Sequence, residues 1–557
     1  MHGNNILNSR RLTLLALLLI VLFNAMHNYY ILEHDKTELC GDMMGNFYAS
    51  AFLFNHMPDQ QPYPAHLTEY PPLLYYATQV MFALFGVSED VAVMTNAIFL
   101  FVLVFGIYSI GFQLRDRATG LLAAFLVTAF NSIIGFSRLY MIEFALTAMV
   151  ALSIGVLLRT RGFSDRKYSA FFGIVCGLGL LTKWSFGLFI IGPALYSLLC
   201  TRITGHRGMC RLRERMINLA FAALIMALLA SLWYPSHIMT VAARIEIFSG
   251  QRDGPEIGAG GQSLVISWLR VSSDYLYHMF CCQLGPLFFV MSMMSLFFLF
   301  RRKYMLIHLW FTSSFFIFTV VSTASGLMSP RFVVPYLPSF AVLVSLMIQH
   351  IRKPQFRKSA ILLVIAVGLG QVYWASYHVS DPFAGVIVTC HDREAYGLFR
   401  SNPNVVSDQV SPYLAEAMGG LENLGIDICL FLDSGIYHLS QWQYYVGTGA
   451  GDEFALRNLT VRMHEPYGQC GLGACILDYQ AYADMAADAE IVLIQDSVNP
   501  GSANSDKEES MLLMHQAFNK ERHLFTKISA VNVADATVEI YRKSTLPGHP
   551  GDDPYEG

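Results

Sequence analysis

Residues 40–76 read CGDMMGNFYASAFLFNHMPDQQPYPAHLTEYPPLLYY, and the rest of the chain is arranged around them. The stretch follows the first strongly apolar run, carries two separated carboxylates, Asp42 and Glu69, and closes on a Glu-Tyr-Pro-Pro turn. From Asp42 onward, Met43, Phe47, Ala51 and Phe54 recur near every fourth position with Met44, Tyr48 and Phe52 beside them. That spacing predicts an amphipathic helix lying in a membrane interface. Pro71 and Pro72 bias Tyr70 toward an extended backbone and let a new helix begin at once, so Glu69 falls on a bend. The stretch reads as the floor of an active site, with a carboxylate aimed above the membrane.

The composition sets the solvent. Of 557 residues, 54% are hydrophobic and only 14% charged, too apolar for an ordinary soluble enzyme. The net charge of -4 hides a split. Residues 1–377 hold 27 Lys and Arg against 16 Asp and Glu, whereas 378–557 hold 10 against 25. A basic membrane part followed by an acidic tail argues against nucleic acid as a partner.

Apolar runs near 12–32, 91–114, 118–135, 140–158, 168–182, 184–200, 216–235, 275–300, 304–325, 332–350 and 359–377 predict about eleven transmembrane helices, several of them short. The first follows Arg10 and Arg11 without a small-residue cleavage site before the acidic loop, and reads as a retained anchor. Twenty cations fall on alternate connections and seven on the others, which places the N-terminus in the cytoplasm. With an odd number of spans, the loops 33–71, 236–274 and 326–331 and the tail share the outer side.

In the tail, Gly385–Cys390, Asp427–Leu432 and Glu490–Gln495 read as buried strands separated by helices near 392–400, 411–424, 479–488 and 508–522. This predicts a soluble C-terminal α/β domain with a largely parallel sheet, over 378–546, and a disordered end at 547–557. Cys470 and Cys475 lie close enough to form a disulfide in an oxidising compartment.

Several side chains are candidates for chemistry. Asp42 suits a general base or a helix N-cap. Glu69 suits a site acid or a solvated loop acid. Glu143 sits inside an apolar segment, Leu-Tyr-Met-Ile-Glu-Phe-Ala-Leu, where an ionisable group is costly and points to function or to a structural pair with Arg138 or Lys183. Arg138, Lys183 and Arg331 each stand at the outer end of a span, suited to a phosphate or to snorkelling. The chain has no Walker loop, no G-x-S-x-G and no H-E-x-x-H motif. An enzyme facing outward has no cytosolic nucleotides, so an activated substrate would arrive on lipid.

Gly-Asp near the start of an outer loop, Glu-x-Pro-Pro-Leu-x-Tyr-Tyr at 69–76, Ser-Arg-Leu-Tyr-Met-Ile-Glu at 137–143, Gly-Leu-Leu-Thr-Lys at 179–183 and Ser-Pro-Arg-Phe-Val-Val-Pro-Tyr-Leu-Pro at 329–338 follow in that order. Together they resemble the family 39 glycosyltransferases of the C superfold, which include protein O-mannosyltransferases and aminoarabinose transferases. The resemblance covers the spans and the first outer loop, 33–76, of a transferase domain at 1–377. It implies a polytopic α-helical membrane protein that moves a sugar from a polyprenyl-phosphate carrier to a lipid, glycan or protein acceptor, with inversion, at a bacterial inner membrane. It further implies Asp42 and Glu143 as catalytic, and Tyr70, Arg138, Lys183 and Arg331 as substrate-binding. By the same resemblance Glu69 and Glu143 orient substrate or hold a divalent metal. Two departures stand out: Tyr70 replaces the lysine of the aminoarabinose transferases, and Met43 replaces the second acid of the mannosyltransferase Asp-Glu pair. The rival readings are a transporter or lipid flippase, and a scaffold acting through its tail.

Overall fold

The computed structural model describes residues 10–34, 42–56, 70–199, 212–239, 241–242, 264–325 and 329–377, and in the tail 426–431, 459–464, 491–495, 515–516, 518–533 and 536–544. Backbone contacts divide the chain into two units, Met1–Lys36 with Ala49–Arg400 and Thr37–Tyr48 with Ser401–Gly557.

The first unit is helical. In order it holds α1 (Arg10–His34), most of α2 (Asp42–His56), α3 (Leu73–Phe85), α4 (Glu89–Met94), α5 (Asn96–Leu114), α6 (Arg117–Ala129), α7 (Asn131–Phe136), α8 (Ile142–Arg159), α9 (Arg166–Leu180) and α10 (Phe186–Leu199). It continues with α11 (Leu212–Ala230), α12 (Leu264–His278), α13 (Pro286–Phe298), α14 (Met305–Ser325), α15 (Pro338–Gln349) and α16 (Pro354–Tyr377). Each of the eleven apolar runs lies on one or more of these helices. Among the described residues five helices are long and apolar enough to cross a membrane, or six if the pair Pro330–Tyr336 and Pro338–Gln349, bent by 45°, counts as one. Others, such as Arg117–Ala129 and Phe186–Leu199, are apolar but short.

Burial orders the bundle. The apolar window of α8 is 83% buried and that of α1 only 6%, so α8 is central while α1 turns its leucines toward lipid. Around α8 pack α5, α9, α10 and the 3-10 helix Pro330–Tyr336. Carboxylates cap helices at the connections: Asp116 accepts from the Thr119 amide at 2.8 Å and Asp165 from the Tyr168 amide at 3.1 Å, which satisfies amides at the starts of α6 and α9.

One segment differs from the sequence expectation. Residues 264–274 read as outer loop, because Ser267, Ser272 and Asp274 interrupt the apolar pattern, yet they form most of α12. In lipid the rule inverts: Leu264, Val265, Ile266 and Leu269 are exposed, while Ser267 and Ser272 are buried. Trp268 Nε1 donates to Thr319 Oγ1 at 2.9 Å and the Tyr275 hydroxyl pairs with Ser322 Oγ at 2.8 Å, docking the polar stripe on α14. A five-residue π-helix, Met279–Gln283, then leads into α13.

The second unit holds a five-stranded sheet in the order β2-β1-β3-β5-β4, with β1 Ile426–Phe431, β2 Leu459–His464, β3 Ile491–Gln495, β4 Phe525–Val533 and β5 Ala536–Lys543. Strand β1 runs parallel to β2 and β3, whereas β5 is antiparallel to β3 and β4. The sheet is therefore mixed, not largely parallel. Strands β1 and β3 fall on the apolar runs at 427–432 and 490–495. The hairpin β4–β5 was not expected, because Phe525–Val533 and Ala536–Lys543 interleave polar and apolar residues as a half-exposed strand does. The expected strand at 385–390, the helices near 392–400, 411–424 and 479–488, the Cys470–Cys475 pair and residues 547–557 lie outside the described residues.

Lys527 and Tyr541 give this hairpin a pH dependence. Burial pushes the Glu539 carboxyl up, but hydrogen bonds from Lys527 at 2.6 Å and from the Tyr541 hydroxyl at 2.7 Å outweigh it and hold the carboxyl below its ordinary value. A carboxylate lowered by folding contributes stability above its unfolded pKa and loses it as pH falls through the folded value. Amide exchange across β4 and β5 is expected to speed up on acidification below about pH 4, and less so in Glu539→Gln. Equal acid sensitivity in the two proteins would remove Glu539 as the cause.

Candidate active site

Three local signals converge on Glu143. It stands in the first turn of α8 and is 4% exposed. The turn between α9 and α10 brings Lys183 to it, and Nζ lies 2.8 Å from Glu143 Oε1. That turn is tight: a Cβ on Gly179 would collide with the Phe186 ring, so the Gly-Leu-Leu-Thr-Lys segment needs its glycine. The third partner comes from the 3-10 helix Pro330–Tyr336, where Arg331 Nε lies 3.8 Å from the same carboxylate oxygen. Among the described residues, this cluster sets one carboxylate between two cations.

The Pro-Pro turn completes the site. The Leu73 amide donates to the Leu181 carbonyl at 2.9 Å, fixing the start of α3 on the lysine turn. Tyr70 thereby places its ring 5.2 Å from Lys183 Nζ, with the Phe332 ring 5.6 Å away on a second approach. Cation–π contact with two rings fits an ammonium that has left water. Tyr70, Glu143, Lys183 and Arg331 line one cleft of about 690 Å³, whose walls continue along Trp184, Leu188 and Phe318. Charge on one part of the lining and apolar walls beside it suit an amphipathic anion.

Supporting groups hold Arg331 and the start of α8. Gln283 in the π-helix donates to the Pro330 carbonyl at 2.7 Å, next to Arg331. A widened helical turn at such a place re-aims a side chain that a regular helix would direct elsewhere. The Tyr140 hydroxyl meets Ser50 Oγ at 2.7 Å and Thr78 Oγ1 at 2.5 Å, joining α2 and α3 to the segment that leads into Glu143. No local pattern in the sequence singles out Gln283 or Tyr140 as a support. Tyr140 was visible inside Ser-Arg-Leu-Tyr-Met-Ile-Glu, but only the tertiary contact gives it partners. Tyr140→Phe is expected to lower stability by about 1 kcal/mol, since it removes the hydroxyl that Ser50 and Thr78 share while Thr78 keeps its bond to the Leu74 carbonyl at 3.0 Å. Thermal unfolding in detergent checks this, and an unchanged midpoint would show that the two hydroxyls find other partners.

The other sequence candidates divide. Arg138 does not join Lys183 and Arg331 at the cleft. Its guanidinium is 3% exposed and donates to Asn28 Oδ1 at 3.1 Å, the Ala375 carbonyl at 2.8 Å and Ser376 Oγ at 2.6 Å. It clamps α1 and α16 to the turn before α8 and does not line the cleft. Asp42 is the first residue of α2, an exposed carboxylate where the helix dipole favours one. Glu69 lies outside the described residues. Glu143 does not fit the divalent-metal role, since its carboxylate already faces an ammonium and a guanidinium, which would repel a further cation. Among the described residues no cluster of three or more His, Cys, Asp or Glu could hold a metal ion.

Comparison with known proteins shows what the chain resembles. Residues 69–234, which include Tyr70, Glu143 and Lys183, match the family model described as dolichyl-phosphate-mannose-protein mannosyltransferase. The fold is similar to those of two solved membrane proteins, ArnT and AglB. ArnT from Cupriavidus metallidurans bound to undecaprenyl phosphate superposes with a TM-score of 0.59 at 12% identity, over 94% of this chain and 97% of that one. The apo form of the same protein gives 0.56 at 12% identity, with the same coverage. The archaeal oligosaccharyltransferase AglB from Archaeoglobus fulgidus, in complex with an inhibitory peptide and a dolichol-phosphate, gives 0.53 at 11% identity, over 92% of this chain and 72% of that one. No curated protein sequence matches the chain.

Proposed function

We propose that the protein is an integral-membrane glycosyltransferase that takes a sugar from a polyprenyl-phosphate carrier and passes it, with inversion, to a lipid, glycan or protein acceptor. The observation that carries this reading is the meeting of Glu143, Lys183 and Arg331 in the lining of a cleft with apolar walls. The family match over 69–234 and the ArnT-like fold support it. The transporter and scaffold readings have no comparable support.

The chemistry follows from charge. Asp42 accepts the proton of the acceptor hydroxyl while that oxygen attacks the anomeric carbon on the face opposite the phosphate. The bond from that carbon to the phosphate oxygen breaks, and the lipid phosphate departs with both electrons. Lys183 and Arg331 balance the charge that gathers there, where fixed donors contribute most. Glu143 keeps Lys183 aimed, and Tyr70 screens its ammonium from water. Glu69, on the bend before Tyr70, belongs to the same site in this reading. The proposal includes a transferase domain at 1–377 with 33–76 as its catalytic loop, a cytoplasmic N-terminus, and an outward α/β domain from 378 to 546.

The test is transfer from labelled polyprenyl-phosphate sugars by purified protein in defined membranes. Arg331→Ala is expected to raise the donor KM by about 10- to 100-fold, the worth of a charge-assisted hydrogen bond. Arg331→Lys is expected to recover part of this, because a point charge replaces a fork of donors. A donor KM unchanged in Arg331→Ala would rule out the phosphate contact.

A further inference from the structure

A second concavity, larger than the candidate active site at about 1570 Å³, collects cations at the other ends of the helices. Arg159 comes from the last turn of α8, Arg161 from the turn after it, and Arg302 and Lys303 from the short 3-10 helix before α14. Gln113, Tyr168 and Tyr196 complete the polar lining, and Phe112, Leu114, Leu158 and Leu306 form an apolar wall. No carboxylate lines it among the described residues. The nearby acids Asp116 and Asp165 are occupied in capping α6 and α9.

The turn that carries Arg161 is built under strain. Arg161, Gly162 and Phe163 have φ of 52°, 69° and 64°, three successive residues in the left-handed region. For the two that are not glycine this is unfavourable, and it persists only where the surroundings impose it. Here they do: Arg215 donates to the Gly162 carbonyl at 2.5 Å and to the Ser197 carbonyl at 2.7 Å, and Asn218 donates to the Phe163 carbonyl at 2.8 Å. Phe163 is wholly buried, while Arg161 is exposed. The clamp thus fixes a backbone whose exposed product is one guanidinium beside three other cations. Snorkelling alone needs no such geometry, since a flexible arginine reaches the interface from any regular helix.

We propose that this cleft binds a phosphate-bearing anion, with the cations on the phosphate and the apolar wall beside it. Basic pockets between membrane helices on the cytoplasmic side suit phospholipid headgroups, and a soluble phosphate offers the same chemistry without the chains. Arg159 is pre-aimed for such a ligand: it donates to Ser109 Oγ at 3.1 Å and lies 5.8 Å from the centre of the Tyr168 ring. The Tyr196 hydroxyl donates to the Arg302 carbonyl at 3.2 Å, fixing the 3-10 helix that carries Arg302 and Lys303. The inference is independent of sugar transfer.

The full-length protein, purified in detergent, is titrated with phosphatidylglycerol, with phosphatidylcholine and with inorganic phosphate, and bound ligand is counted by native mass spectrometry. The variant is Arg161→Gln with Arg302→Gln, both exposed positions, and Lys358→Gln on α16 controls for loss of charge at the same end. Phosphatidylglycerol is expected to bind the wild type and the control, and the double variant on the order of tenfold more weakly. Inorganic phosphate binding with the same dependence on Arg161 and Arg302, in place of the lipid, would support the site and identify its ligand as soluble. Binding of both anions undiminished in the double variant, or absent from the wild type, would overturn the proposal.

Discussion

Lys183→Met is expected to stop sugar transfer and to destabilise the protein by about 3–5 kcal/mol, because it leaves the Glu143 carboxylate buried without its 2.8 Å partner. Arg331 remains 3.8 Å away, but its side chain is 28% exposed and a longer contact compensates less. The loss of activity alone would not separate a catalytic role from a structural one. The double variant Glu143→Gln with Lys183→Met does, since it removes both charges and leaves groups of similar volume. Replacing a buried pair in this way is often neutral or stabilising, so the thermal midpoint is expected to return toward that of the wild type. Transfer is not expected to return, because the cation that would meet the phosphate is gone. A double variant that transferred sugar at the normal rate would show that the pair only holds α8 against the lysine turn.

The second large effect is expected at Asp42. If it takes the acceptor proton, Asp42→Asn keeps the size of the side chain and removes the base, lowering turnover by about 10²- to 10⁴-fold. Donor binding is expected to remain, since in the proposed mechanism Lys183 and Arg331 meet the phosphate. Single-turnover transfer from pre-bound labelled donor distinguishes the two steps: a normal donor complement with slow release of lipid phosphate is the expected result. Asparagine also caps helices well, so a merely structural role at the start of α2 would leave turnover almost unchanged. That outcome would remove Asp42 as the base.

The two buried charges show how far the sequence could be read. An acid in Leu-Tyr-Met-Ile-Glu-Phe-Ala-Leu and a lysine after Gly-Leu-Leu-Thr stand out in apolar surroundings, because lipid does not tolerate a charge without a reason. Arg138 stands out in the same way, yet its guanidinium joins Asn28 to Ala375 and Ser376. From the chain alone the two cases are identical. Hydrogen-bond partners more than a hundred positions away separate them.

By itself, then, the sequence determined that the chain is a helical membrane protein, where its apolar runs lie, and that acids and cations recur at one set of helix ends. Those are consequences of composition and local spacing, which act over a few residues. Tertiary structure decided which charges meet. It paired Glu143 with Lys183, brought Arg331 to the same cleft through a π-helix and a 3-10 turn, and turned the serine stripe of α12 inward. It also completed the sheet with a hairpin. Each of these depends on close approach between distant segments, and packing across a bundle follows from the shapes of all its helices together.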